Sequence, residues 1–210
     1  MTRRRVAGYL WSEATERRAQ GSLRTALWRL NQDTNVLCAG PNVVGLAPDV
    51  WVDVDAVMSE IRALTRTDTP IGATLCMSGG RVLERRDLLP EWDEDWVVLE
   101  RERLRQLRMH ALEELATLWA GEGRWREALD AALQAVSLEP LRESAHRVVI
   151  GIHLREGNLI EAVRHFDAYR LLVRREMGIA PTSRLTELIS AACTENSIPE
   201  MRAHRSMTNR

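Results

Sequence analysis

Arginine is the side chain with which this sequence can do most of its chemistry, because all 29 basic residues are arginine and none is lysine. Seven of them, Arg3, Arg4, Arg5, Arg17, Arg18, Arg24 and Arg29, fall within residues 1–32. Only Glu13 and Glu16 oppose them there, leaving about +5 on a chain whose formal net charge is −1. A planar, permanently charged guanidinium binds phosphate bidentately, so this end suits a polyanionic partner. A solvated charged face is the plainer alternative. The missing lysine removes other chemistries outright: a Walker-type phosphate loop, a pyridoxal phosphate Schiff base and a Ser–Lys dyad. Arginine-only usage also points to GC-rich codons and a high-GC bacterial source.

The remaining reactive residues form no recognisable catalytic set. His110 precedes Glu113 and Glu114 without an H-E-x-x-H pattern, and His165 stands near Asp167. Cys38, Cys76 and Cys193 are far apart, with no metal or C-x-x-C spacing, and read as ordinary, partly buried thiols. Neither G-x-S-x-G nor G-x-G-x-x-G occurs. The pairs Asp93/Asp95 and Glu113/Glu114 have arginines close by in sequence and read as salt-bridged solvent faces. No enzyme activity, bound metal or cofactor is expected. No apolar run reaches the ~18 residues of a membrane span, and no apolar stretch follows Arg5 to make a signal peptide. The cytoplasm is the expected location.

The elements that must position the basic residues are helical. Residues 3–11 read as a short helix, and Ser12 to Thr15 as a turn. Residues 15–31 read as a second helix, with Thr15 as N-cap and an apolar stripe of Ala19, Leu23, Ala26, Leu27 and Leu30. Its opposite face carries Arg17, Gln20, Arg24, Thr25 and Asn31. Two short apolar runs, residues 36–38 and 43–46, flank Gly40-Pro41-Asn42 and predict a β-hairpin. Helix, helix and hairpin in that order make the end of a winged helix-turn-helix. Val54 to Leu64 begins a further amphipathic helix, and residues 65–82 read as loop around a weak helix. Helical periodicity then runs from Trp96 to Ser190, broken at residues 121–123, 139–140, 157–158 and 178–181.

Within that stretch positions repeat 34 residues apart. Gly123 matches Gly157, Ala128 matches Ala162, Ala132 matches Phe166 and Ala135 matches Tyr169. Leu112, Leu115, Ala116 and Trp119 match His146, Val149, Ile150 and His153. This is the period of the tetratricopeptide helix–turn–helix unit, and Pro140 falls where such a unit ends. The register places His146 and His153 in packing between helices rather than in a site. Trp92 and Trp96 would share a helix face, and Trp119 and Trp125 would meet across a turn, either as core or as an anchor for a partner.

Several segments together resemble the bacterial transcriptional activator domain: residues 87–92 (DLLPEW), 95–97 (DWV), 100–104 (ERERL), 139–146 (EPLRESAH), 157–162 (GNLIEA) and 177–181 (MGIAP). In that family a tetratricopeptide-like domain follows a response-regulator-type winged helix, together forming the antibiotic-regulatory-protein class of transcription factors. The resemblance covers residues 53–192 strongly and 3–52 moderately. It divides the chain into an N-terminally incomplete winged helix (1–52), the helical domain (53–192) and a tail (193–210). The expected fold is mainly α, a partial winged helix-turn-helix followed by a tetratricopeptide-like domain. Relative to the resemblance, the sheet and helix that open such a winged helix are absent before Leu10-Trp11.

What the resemblance implies is a recognition helix at residues 15–31, entering the major groove of double-stranded DNA. Arg17, Arg18, Gln20, Ser22, Arg24, Thr25 and Arg29 are its implied DNA-binding residues, with Asn42 at the hairpin tip reaching the minor groove or backbone. The helical domain would serve self-association, as a homodimer, or contact with RNA polymerase. The implied protein is an activator of secondary-metabolite or neighbouring genes. An interaction regulator that has lost autonomous DNA binding is the alternative, and an enzyme using the helical concavity a third.

Overall fold

A computed structural model describes residues 1–64 and 87–196. Within them the chain forms eight helices and one two-stranded sheet, the mainly helical fold that the periodicity predicts. It divides into two compact units, Met1–Asp53 and the residues from Val54 onward. The readings of residues 65–82, of Cys76 and of the tail beyond Asn196 lie outside the described residues. Cys193 belongs to an ordered helix that continues to Glu195.

In the first unit, α1 (Arg3–Leu10) is capped by the Thr2 hydroxyl, which accepts from the Arg5 amide. After a short turn, α2 (Glu16–Asp33) packs on it. Thr15 occupies the N-cap position but makes no side-chain capping bond. The core is small: Ala7 meets Ala19, Leu23 and Leu27, with Val6, Trp11, Leu37 and Val44 against them. Strands β1 (Leu37–Ala39) and β2 (Val44–Leu46) pair antiparallel, Cys38 opposite Gly45. Two members of the expected apolar stripe depart from it, since Ala26 and Leu30 are exposed. α1 has only eight residues, about 12 Å of helix, which matches the Ala19–Leu27 span and leaves Leu30 beyond it. Ala26 lies on the flank of that stripe opposite Gln20 and Arg24. Cys38 is likewise exposed rather than partly buried.

The second unit opens with α3 (Asp53–Leu64), whose Ile61 is buried with Val57, Met58 and Leu64 against a larger core. Then follow α4 (Asp95–Gly121), α5 (Trp125–Leu138), α6 (Glu143–Glu156), α7 (Leu159–Met177) and α8 (Ser183–Glu195). Each packs on its neighbour, and α4 also meets α6. The matched positions are core positions: Ala128, Ala132, Ala135 and Ala162 are fully buried, as are Leu112, Leu115, Val149 and Ile150. Alanine at these crossings lets the helix axes approach closely. Gly123 and Gly157 both adopt a left-handed conformation, φ +77° and +87°, which ends one helix and starts the next. Upstream, Leu89 takes φ +44° in a turn where Arg101 donates to the carbonyls of Leu88, Leu89 and Trp92.

Polar clamps join the repeats. Arg105 donates to the Leu138 carbonyl at 3.0 Å and to Glu139 at 3.1 Å, closing the C-terminal end of α5. Glu143, at the start of α6, accepts from the Thr182 amide at 2.8 Å and from its hydroxyl, tying in α8. Glu113 is not the solvent-face residue its sequence neighbours suggest. It lies half-buried on α4 and accepts from Arg142 Nε at 2.7 Å and Ser144 Oγ at 2.6 Å. Burial pushes its carboxyl upward, but those bonds and the Arg142 and His110 charges outweigh it and hold it below the ordinary range.

His146 is buried, as its repeat position requires, and joined to a neighbour that the sequence left alone. Its Nε2 lies 2.8 Å from the Pro140 carbonyl, which can only accept, so Nε2 carries the proton. Its Nδ1 therefore accepts from His165 Nε2 at 3.0 Å. The ring stacks on Tyr169 at 4.1 Å, and the Tyr169 hydroxyl donates to the Leu141 carbonyl. Burial lowers the pKa of both histidines, His165 to about 4 with help from the His146 and His153 charges.

Two measurements follow from this packing. Gly157→Ala forces a Cβ into the left-handed region and should destabilise the chain by about 1–2 kcal/mol in urea unfolding; an unchanged midpoint would contradict the turn. Buried His146 and half-buried His165 bind protons more readily when unfolded, so their stabilisation is complete above pH 6.5, the unfolded value, and is lost as pH falls towards about 4. Thermal melts should show that limb, flattened in His165→Gln.

Candidate nucleic-acid interface

The buried stripe of α2 decides where its other side chains point. Ala19, Leu23 and Leu27 recur every four residues and face the core. At about 100° per residue the outward side then carries Arg17, Arg18, Gly21, Thr25, Trp28 and Arg29, with Arg24 on one flank. Arg17, Arg18, Arg24, Thr25 and Arg29 are all exposed, and Ser22 is half-buried. None of these four arginines has an ion-pair or hydrogen-bond partner among the described residues. The Thr25 hydroxyl donates back to the Gly21 carbonyl at 3.2 Å.

Gln20 lies on the other side of Arg24, towards α1. It donates to Glu16 Oε1 at 3.1 Å, and Glu16 pairs with Arg4 at 2.9 Å, the pair being well exposed. The hairpin is stitched to the start of α1: the Arg3 amide donates to the Asn42 carbonyl at 2.9 Å, and its guanidinium to the Gly40 carbonyl at 3.1 Å. The Met1 ammonium and carbonyl bond Val44, and Thr2 bridges Val43. These ties fix the hairpin tip beside α2 and leave a cleft of about 630 Å³. Arg3, Arg4, Gln20, Arg24, Pro41 and Asn42 line it.

The structure thus brings three of the eight sequence-derived residues, Gln20, Arg24 and Asn42, onto one cleft. Arg17, Arg18, Thr25 and Arg29 lie on the open outer face, and Ser22 is partly withdrawn. Arg3 and Arg4 join the cleft although sequence reasoning assigned them no role beyond charge. Their place at the mouth depends on hairpin bonds across 37 or more residues, which no local pattern carries. Trp28 also went without a role in the sequence reading, being outside the apolar stripe and carrying no charge. It is 64% exposed. Arg5 is occupied locally, donating to the Tyr9 hydroxyl, which raises its already high pKa.

Among the described residues no group of three or more His, Cys, Asp or Glu is placed to hold a metal ion. No described helix is long and apolar enough to cross a membrane. A guanidinium-lined cleft with a single carboxylate at its edge suits phosphate oxygens and base edges far better than proton transfer.

Compared with known families, residues 49–192 match the model of the bacterial transcriptional activator domain, more than half of the chain. No curated protein matches it. The first unit lies almost wholly outside the matched residues, so its cleft stands on geometry alone.

The four-residue core of the first unit makes its stability sensitive to single truncations. Leu23→Ala removes a buried side chain at the centre of that core and should cost about 2–4 kcal/mol. Hydrogen exchange should show α1 and α2 losing protection while α4 to α7 keep theirs; uniform loss would refute independent units.

Proposed function

The chain belongs to the bacterial transcriptional activator domain family, and from that premise we propose that it is a DNA-binding transcriptional regulator without enzymatic activity. The observation that carries this reading is the set of four exposed arginines on α2 with no ion-pair or hydrogen-bond partner among the described residues. Guanidinium groups on one helix that no described carboxylate engages keep their attraction for phosphate. In this reading α2 enters the major groove of double-stranded DNA. Arg17, Arg18, Arg24 and Arg29 serve phosphates or guanine edges, Gln20 serves an adenine edge, and Ser22 and Thr25 serve the backbone. Asn42 at the hairpin tip reaches the neighbouring backbone or minor groove.

The helical unit then supplies self-association as a homodimer or contact with RNA polymerase, in the cytoplasm. The regulated genes are those of secondary metabolism or the chain's own neighbours, as in the antibiotic-regulatory-protein class. A second reading, a protein-interaction regulator without autonomous DNA binding, draws on a separate observation. Trp92 and Trp96 meet edge to face at 6.3 Å and both remain about half exposed, beside the exposed Leu99. Helix α4 begins only at Asp95, so the two rings meet across its start rather than along one helical face.

The test is equilibrium binding of the full chain to duplexes from the promoters flanking its gene, across a salt series. Affinity should fall steeply with salt, and Arg24→Ala should both weaken binding and reduce the log–log slope by about 0.9 if Arg24 meets a phosphate. Salt-independent binding, or none, would favour the interaction-only reading.

A further inference from the structure

Resting on the DNA-binding reading, we infer that the outer face of α2 makes a close, non-ionic contact with the DNA backbone through Gly21 and Trp28. Three observations converge on it. Trp28 lies roughly 180° round the helix from buried Ala19, so its indole is exposed for a reason other than an incomplete core. Gly21 lies within the same outward sector, one turn before Thr25 and two before Trp28. It sits in mid-helix, where glycine costs about 1 kcal/mol relative to alanine. A Cβ there would meet nothing within 4 Å, and its φ is not in the left-handed region. Neither internal packing nor backbone conformation calls for a glycine. What a bare Cα does allow is close approach of a surface from outside.

The occupant follows from charge. Arg17 and Arg24 stand on one side of the Gly21–Trp28 line and Arg18 and Arg29 on the other, all exposed and unpaired among the described residues. An apolar strip flanked by exposed guanidinium groups is complementary to the sugar–phosphate wall of the groove that α2 enters, with phosphates on the arginines and deoxyribose against the indole. A protein partner of ordinary composition would leave at least four cations facing it without counter-charge. Gly21 sets how deeply the helix seats, and Trp28 covers the sugar next to the phosphates it orients.

The test separates this contact from the arginines by its salt dependence. The full-length chain and the variants Gly21→Leu, Trp28→Ala and Arg17→Ala are titrated with the upstream duplex of its own gene and with an unrelated duplex, at several salt concentrations. Gly21→Leu and Trp28→Ala should each weaken binding about tenfold, equivalent to about 1.4 kcal/mol, at every salt concentration with the slope unchanged. Arg17→Ala should instead lower the slope. Both positions are exposed and Gly21→Leu raises helix propensity, so circular dichroism should show no loss of structure. Wild-type affinity in both non-ionic variants, with Arg17→Ala still impaired, overturns the inference and leaves the DNA-binding reading standing. Absence of salt-dependent binding by the wild-type chain overturns both. Unchanged DNA affinity in Trp28→Ala, with a dimer-to-monomer shift in sedimentation, would give the face to a second copy and also overturn it.

Discussion

Close approach of helices across buried alanines is the constraint from which both units are built. In the first, Ala7 of α1 faces Ala19 of α2, and the remaining core is Leu23 and Leu27. In the second, Ala111, Ala116, Ala128, Ala131, Ala132 and Ala135 fill the contacts among α4, α5 and α6. Small side chains bring helix axes together, and close axes demand short, sharply turned connections. Left-handed glycines at 123 and 157 answer that demand. They fall 34 residues apart because each closes the first helix of a helix–turn–helix unit of that length.

Tight packing of short helices leaves many helix ends inside or against the protein, where carbonyl and amide groups need partners. Long side chains from other helices supply them. Arg105 of α4 reaches the last carbonyl of α5, Glu143 of α6 takes the first amide and hydroxyl before α8, and Arg142 with Ser144 meets Glu113 of α4. These bonds set the register between successive pairs, since alanine contacts alone are tolerant of sliding. Each clamp is strongest where it is part-buried, because solvent screening there is least.

The repeat was legible in the sequence because glycine and alanine at helix turns and crossings impose a local, periodic pattern. Glu113 and the His146–His165 pair were not. Their partners lie 29, 31 and 19 residues away, and nothing near Glu113 in sequence distinguishes a half-buried clamp from a solvent-face carboxylate. On α2 the outward residues could be read from the stripe, yet Leu30 continues that stripe in sequence and is exposed in the structure. Periodicity records which face is apolar but not how far the partner helix extends. Trp28, which the sequence reading gave no role, lies opposite Ala19 by angular position and is exposed there. The hairpin cleft needed Arg3, whose bonds to Gly40 and Asn42 only the folded chain brings together.

Composition alone cannot say what 29 arginines are for, and the two units use them differently. In the helical unit Arg101, Arg105 and Arg142 are bound to carbonyls or carboxylates, and their charge goes into holding turns and helix ends. On α2 four arginines make no such bond among the described residues, although Glu16 at the same helix's start is engaged by Arg4 and Gln20 instead. Leaving cations free along an eighteen-residue helix raises their mutual repulsion and gives the fold nothing in return. Arg155, Arg174 and Arg184 of the helical unit are also exposed without an ion pair among the described residues, so what sets α2 apart is the concentration of four on one helix. In the proposed DNA-binding reading, that concentration is charge kept available for a ligand that brings its own anions.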